Sequence, residues 1–98
     1  MTAWYIVTMV TKLRKTATPE IERVQTGVRL EKRILKVLKA LAELKDLSLG
    51  DLLEGIVLHA FEGKTPFGPE TLRQIAELKR VYKLDLRAGD SHRLVERR

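Results

Sequence analysis

Hydrophobic and polar residues alternate between Glu22 and Leu30. Val24, Thr26, Val28 and Leu30 fall on one side of an extended chain; Arg23, Gln25, Gly27 and Arg29 fall on the other. Side chains of a strand change face at every residue, so this period of two predicts a short β-strand with one apolar and one polar face. The period then lengthens. Over residues 31–45, Ile34, Leu38, Leu41 and Leu44 recur at spacings of three and four, widened by Leu35, Val37 and Ala42, the pattern of an amphipathic helix. Glu31 in its first turn and Lys45 in its last suit the helix dipole. A short break follows at residues 45–47. Ser48 with Asp51 three residues on resembles a capping box, and it opens a second predicted helix that runs to about Phe61 or Glu62 and stops at Gly63.

That second helix is apolar at Leu49, Leu52, Leu53, Ile56, Val57, Leu58, Ala60 and Phe61, which covers most of its circumference. Such a helix needs cover on nearly all sides, and in a chain this short a second copy is the natural cover. Gly50 and Gly55 each cost about 1 kcal/mol of helix propensity against Ala. They read as points of close approach, helix on helix at Gly55 and some other group at Gly50. Residues 65–69 form a turn, and Pro69 suits the first position of a third helix. Leu72, Ile75, Leu78 and Tyr82 give that helix an apolar face to about Leu86, with Lys79, Arg80 and Lys83 as a basic one. Ala88-Gly89-Asp90 ends it, and a charged tail follows. Residues 1–20 read as an N-terminal arm, a frayed end or a reach toward phosphates through Lys12, Arg14 and Lys15. The expected division is therefore an arm over 1–20, a domain over 21–63, and a linker, helix and basic tail over 64–98.

Charge sharpens this picture. The 98 residues have a net charge of +6. Residues 1–30 contribute +3, residues 31–63 contribute −1 and residues 64–98 contribute +4. Basic flanks around a near-neutral centre are the footprint of a polyanionic partner such as nucleic acid; the competing reading is a solvated surface rich in lysine. Cysteine is absent, which excludes disulfides and Cys-based zinc sites and favours a cytoplasmic location. No run is long enough to cross a bilayer, and no signal-peptide pattern is expected in the early apolar residues.

A polar-faced strand, a helix, a tight break and a capped apolar helix, in that order, resemble the ribbon-helix-helix family of DNA-binding proteins, the Arc and MetJ type. The residues behind the resemblance are Thr26-Gly27-Val28-Arg29-Leu30, the helix from Glu31, and Asp46-Leu47-Ser48-Leu49-Gly50-Asp51-Leu52-Leu53. The resemblance covers about residues 21–63. It implies a mainly α fold with one short β-strand, an intertwined homodimer whose strands pair antiparallel across subunits, and a C-terminal helix added to it. The paired strands of this family enter the major groove of double-stranded DNA. Carried over, Gln25 and Arg29 become the base readers, with Gly27 between them where many members have a polar side chain, and Arg23 one step further out. The amino end of the second helix, Ser48, Leu49 and Gly50, becomes a phosphate site, as free N–H groups and the helix dipole favour an anion. Lys32, Arg33 and Lys45 are further phosphate candidates.

Each assignment has a plainer competitor. Arg23 and Arg29 can solvate an exposed edge, and Ser48 is a helix cap whatever else it does. His59, on a very apolar helix, reads as a packed or interface histidine rather than a metal ligand. No nucleophile–base set and no Gly-rich phosphate loop is present, so neither an enzyme nor a cofactor is expected. The leading expectation is a homodimeric transcriptional regulator, a repressor, bound to double-stranded DNA. The alternatives are an antitoxin that holds a protein partner through residues 64–98, and a dimerisation module without DNA binding.

Overall fold

A computed structural model describes residues 18–97. Three α-helices of 13 residues each follow in order: α1 Lys32–Leu44, α2 Leu49–Phe61 and α3 Pro69–Val81. A 3-10 turn at Ala88–Asp90 comes after them. The described residues include no strand. The expected β-strand is therefore overturned, and with it the ribbon-helix-helix architecture and the intertwined dimer built on an intersubunit ribbon. Residues 18–30 run as an exposed arm without ladder hydrogen bonds. The alternation from Glu22 to Leu30 is real, but it only says which side chains share a face. A strand is held by backbone bonds to a neighbour, and no described segment pairs with this one.

All three helices end in the same way. Asp46, Gly63 and Lys83 follow the respective C-caps with φ of 59°, 71° and 57°. At each end the next N–H reaches back five residues: Leu47 to the Ala42 carbonyl, Lys64 to His59 and Leu84 to Lys79. This is the Schellman closure, which satisfies carbonyls the helix leaves unpaired. Glycine takes the left-handed conformation at no steric cost, and Gly63 conforms to that rule; Asp46 and Lys83 do not. The closure at Lys83 stops α3 at Val81, short of the expected end near Leu86. At the other ends, Ser48 Oγ accepts from the Asp51 N–H at 3.1 Å. Glu31 proves to be the N-cap of α1 rather than a first-turn residue: its Oε1 accepts from the N–H groups of Arg33 and Ile34, both at 2.9 Å.

α1 is the organising helix. It packs against both α2 and α3, which do not pack against each other. Being flanked on two sides, it buries Val37, Leu41 and Ala42, a stripe broader than one helix contact requires. Leu41, Ala42 and Leu52 form the buried cluster, with Leu38, Ile56, Phe67, Ile75 and Leu78 partly buried around it. α2 fares differently. Leu52 alone is buried, while Leu58 and Phe61 remain 62% and 80% exposed. The cover that its composition demands is not supplied among the described residues. Gly55, expected to admit a neighbouring helix, has nothing within 4 Å of where a Cβ would stand, and at Gly50 only Ser48 Oγ lies as near as 4.0 Å.

Candidate nucleic-acid interface

Four side chains of the arm were expected to face the bases: Arg23, Gln25, Gly27 and Arg29. All four are exposed, and the fold gives them different surroundings. Arg23 is turned back onto α2. Its Nε donates to Glu54 Oε2 at 2.9 Å and its Nη2 to Glu54 Oε1 at 2.8 Å, a two-pronged fork, with Asp51 Oδ1 3.6 Å away. Asp51 and Glu54 stand three residues apart on one helix face, a spacing that suggests solvated or capping carboxylates when read from sequence. Here they are counter-ions that tie the arm to the first turns of α2. Hydrogen bonding and charge from Arg23 lower the Glu54 pKa, despite an opposing effect of desolvation.

Arg29 lies at the other end of the arm. It faces a cleft of about 810 Å³ between residues 29–33 and the C-terminal tail. Arg29 pairs with Glu96 across this cleft. Lys32 and Arg97 add cations to its walls. Arg33, a further phosphate candidate, is engaged within the chain: its Nε donates to Glu31 Oε2 at 3.0 Å, and its Nη1 to the Lys83 carbonyl at 2.9 Å and Asp85 Oδ1 at 3.0 Å. It clamps the start of α1 to the chain leaving α3. Gly27 has open space around it, so the missing side chain there answers no close approach.

The amino end of α2 has an exposed Ser48 and Gly50 and a half-buried Leu49. Dipole and N–H groups favour an anion at such an end. Two features oppose it: Ser48 already takes the Asp51 N–H, and the Asp51 carboxylate occupies the first turn. Lys45, the C-cap of α1, lines a separate groove of about 370 Å³ with Leu52, Ile56, His59 and Phe67. His59 is exposed rather than packed, and its Nδ1 donates to the Gly55 carbonyl at 2.7 Å, one turn back. Among the described residues, no three His, Asp or Glu side chains gather where a metal would sit, and no helix is long and apolar enough to cross a membrane.

The structure thus joins the expected residues into two places, Arg23 against α2 and Arg29 with Lys32 in the cleft. The acidic partners Glu54 and Glu96 were missed. Glu54 had a signal in its spacing from Asp51; Glu96, 67 residues from Arg29, had none. No family model matches this chain, and no curated protein or solved structure matches it.

The carboxylates give a pH signature. Burial pushes the Glu31 pKa up, but the bond from the Ile34 N–H and those from Arg33 outweigh it, and the value is lowered, as it is at Glu54. A carboxyl whose folded pKa is depressed contributes fully above its ordinary value of 4.5. That contribution is lost as pH falls through the lower folded value. We expect the NMR signals of Arg23 Hε and the Ile34 amide each to shift at a pH below the ordinary carboxyl range. Glu54→Gln should abolish the Arg23 transition and leave that of Ile34. Persistence of the Arg23 transition in that variant would show that another group holds the guanidinium.

Proposed function

We propose that this chain is a homodimeric DNA-binding protein that acts as a cytoplasmic transcriptional regulator, a repressor, and not as an enzyme. The exposed arm is the observation behind this reading. Ile21, Val24 and Val28 are 63%, 78% and 72% exposed, on a segment that Arg23 ties to a helix with bare apolar residues of its own. Apolar groups gathered this way gain from removal from water, and a second copy offers the same surface in return. The arm's Gln25 and Arg29, with Lys32 at the start of α1, remain exposed on the described chain, and their chemistry suits base edges and phosphates.

The test has two arms. Arg29→Ala should weaken binding to a selected duplex by about 1–3 kcal/mol and relax its sequence preference. Lys32→Ala should weaken all duplexes alike and shallow the salt slope by about 0.9. An unchanged affinity in Arg29→Ala excludes it as a reader. Absence of duplex binding at low salt rejects the function and leaves a dimerisation module. The antitoxin reading ranks lower, because α3 directs Ile75 and Leu78 to its own core. Only Leu72 and Val81 remain as large exposed apolar groups on that helix.

A further inference from the structure

The C-terminal tail returns across the arm. Three local features turn it back. The Schellman closure at Lys83 redirects the chain out of α3. Arg33 then holds the Lys83 carbonyl and Asp85 against the start of α1. Finally, Arg87 and Asp90 close a turn on each other: the Arg87 N–H donates to Asp90 Oδ2 at 2.8 Å, and the Asp90 N–H to the Arg87 carbonyl at 2.8 Å. Residues 94–97 consequently form the wall of the cleft opposite residues 29–33, with Leu30, Leu86, Leu94 and Val95 as its apolar lining.

Two carboxylates line this cleft. Glu31 is committed to capping α1 and to Arg33. Glu96 is committed to Arg29 alone among the described residues. A carboxylate offers a guanidinium the same acceptor oxygens as a phosphate does. We propose that residues 94–97 are an internal competitor for the arm, with Glu96 holding Arg29 in the place that nucleic acid would take. Binding then requires the tail to leave. This regulation rests on the proposed DNA-binding function. Arg29 and Glu96 are 82% and 64% exposed, so the latch is weak and readily displaced. Its effect on affinity is at most about fivefold.

The experiment compares duplex affinity at low salt for the full chain and its variants. Removing any negative charge favours a polyanion, so Glu43→Gln on the exposed side of α1 serves as the control. Glu96→Gln should tighten binding by about two- to fivefold, beyond the gain of Glu43→Gln. In an Arg29→Ala background that excess should vanish. Independently of DNA, the heteronuclear NOE of residues 94–97 should fall in Arg29→Ala, because the tail loses its hold. Equal gains from Glu96→Gln and Glu43→Gln, or an unaltered tail NOE, overturn the latch while duplex binding stands. A failure of every variant to bind duplex removes the function itself and the latch with it.

Discussion

Leu41→Ala should lower the stability of the fold by about 2–5 kcal/mol, the most severe loss expected from any single truncation. Leu41 is 1% exposed and sits where α1 meets the other elements. Truncating it strips the contacts that Leu52, Leu38 and the residues around them make with its isobutyl group, and leaves a cavity the short helices cannot fill without shifting. The buried set is small: Val37, Leu41, Ala42 and Leu52 are the buried hydrophobic residues described. Folding free energies are only about 5–15 kcal/mol even for ordinary domains. For a chain of this size each kcal/mol moves Tm by about 4–8 °C, so a fall of at least about 8 °C is expected in thermal unfolding followed by circular dichroism. Leu44→Ala provides the comparison, since Leu44 on the same helix is half exposed and should cost far less. Equal losses in the two variants would place the core elsewhere.

The helices were legible because their signals are local. Spacings of three and four along α1, Ser48 before α2 and Pro69 at the start of α3 are short-range features whose physics acts within one turn. The ends were less so. Gly63 announces its left-handed turn, whereas Asp46 and Lys83 adopt the same conformation with side chains that do not advertise it. The periodicity carries the predicted end of α3 too far for that reason: Leu84 and Leu86 continue an apolar spacing after the backbone has left the helix. The arm failed for a different reason. Alternation specifies faces, but pairing is a property of two segments, and residues 18–30 have no described mate.

The site was legible as residue types and not as pairings. Arg23 and Arg29 stand out in the sequence as cations on one face of the alternating stretch. Their partners come from α2 and from the tail, which only the folded chain brings near. Arg33 shows the consequence most clearly. As a sequence position it is one more cation beside Lys32, equally suited to a phosphate. In the fold, Glu31, Asp85 and the Lys83 carbonyl claim it, and its task is to hold α1 to the returning chain. Neighbouring cations can therefore differ in availability, which is why Lys32 and not Arg33 is the substitution chosen to probe phosphate contact.

Leu58→Glu should abolish self-association without unfolding the isolated chain. Leu58 is exposed on α2, beyond the reach of the core around Leu52, so within one chain the glutamate meets water and costs little. Against a second copy the same carboxylate would be buried without a partner. Placing an unpaired charge in an interface costs about 3–5 kcal/mol. A twofold interface meets the substitution twice. Even one occurrence weakens dimerisation by about a hundredfold or more. Analytical ultracentrifugation should give a dimer for the parent chain and a monomer for the variant at the same micromolar concentration. Helical circular dichroism should survive when extrapolated to equal conditions, and the parent's Tm alone should rise with protein concentration, as mass action requires of a dimer. The effect should extend to DNA: a monomer presents one arm where the dimer presents two, so Leu58→Glu should lose duplex affinity although it touches none of Arg23, Gln25 or Arg29. A parent chain that sediments as a monomer at all concentrations would leave the apolar side of α2 unexplained and remove the homodimer from the proposed function. A variant that still dimerises would instead move the interface away from Leu58, toward the apolar residues of the arm.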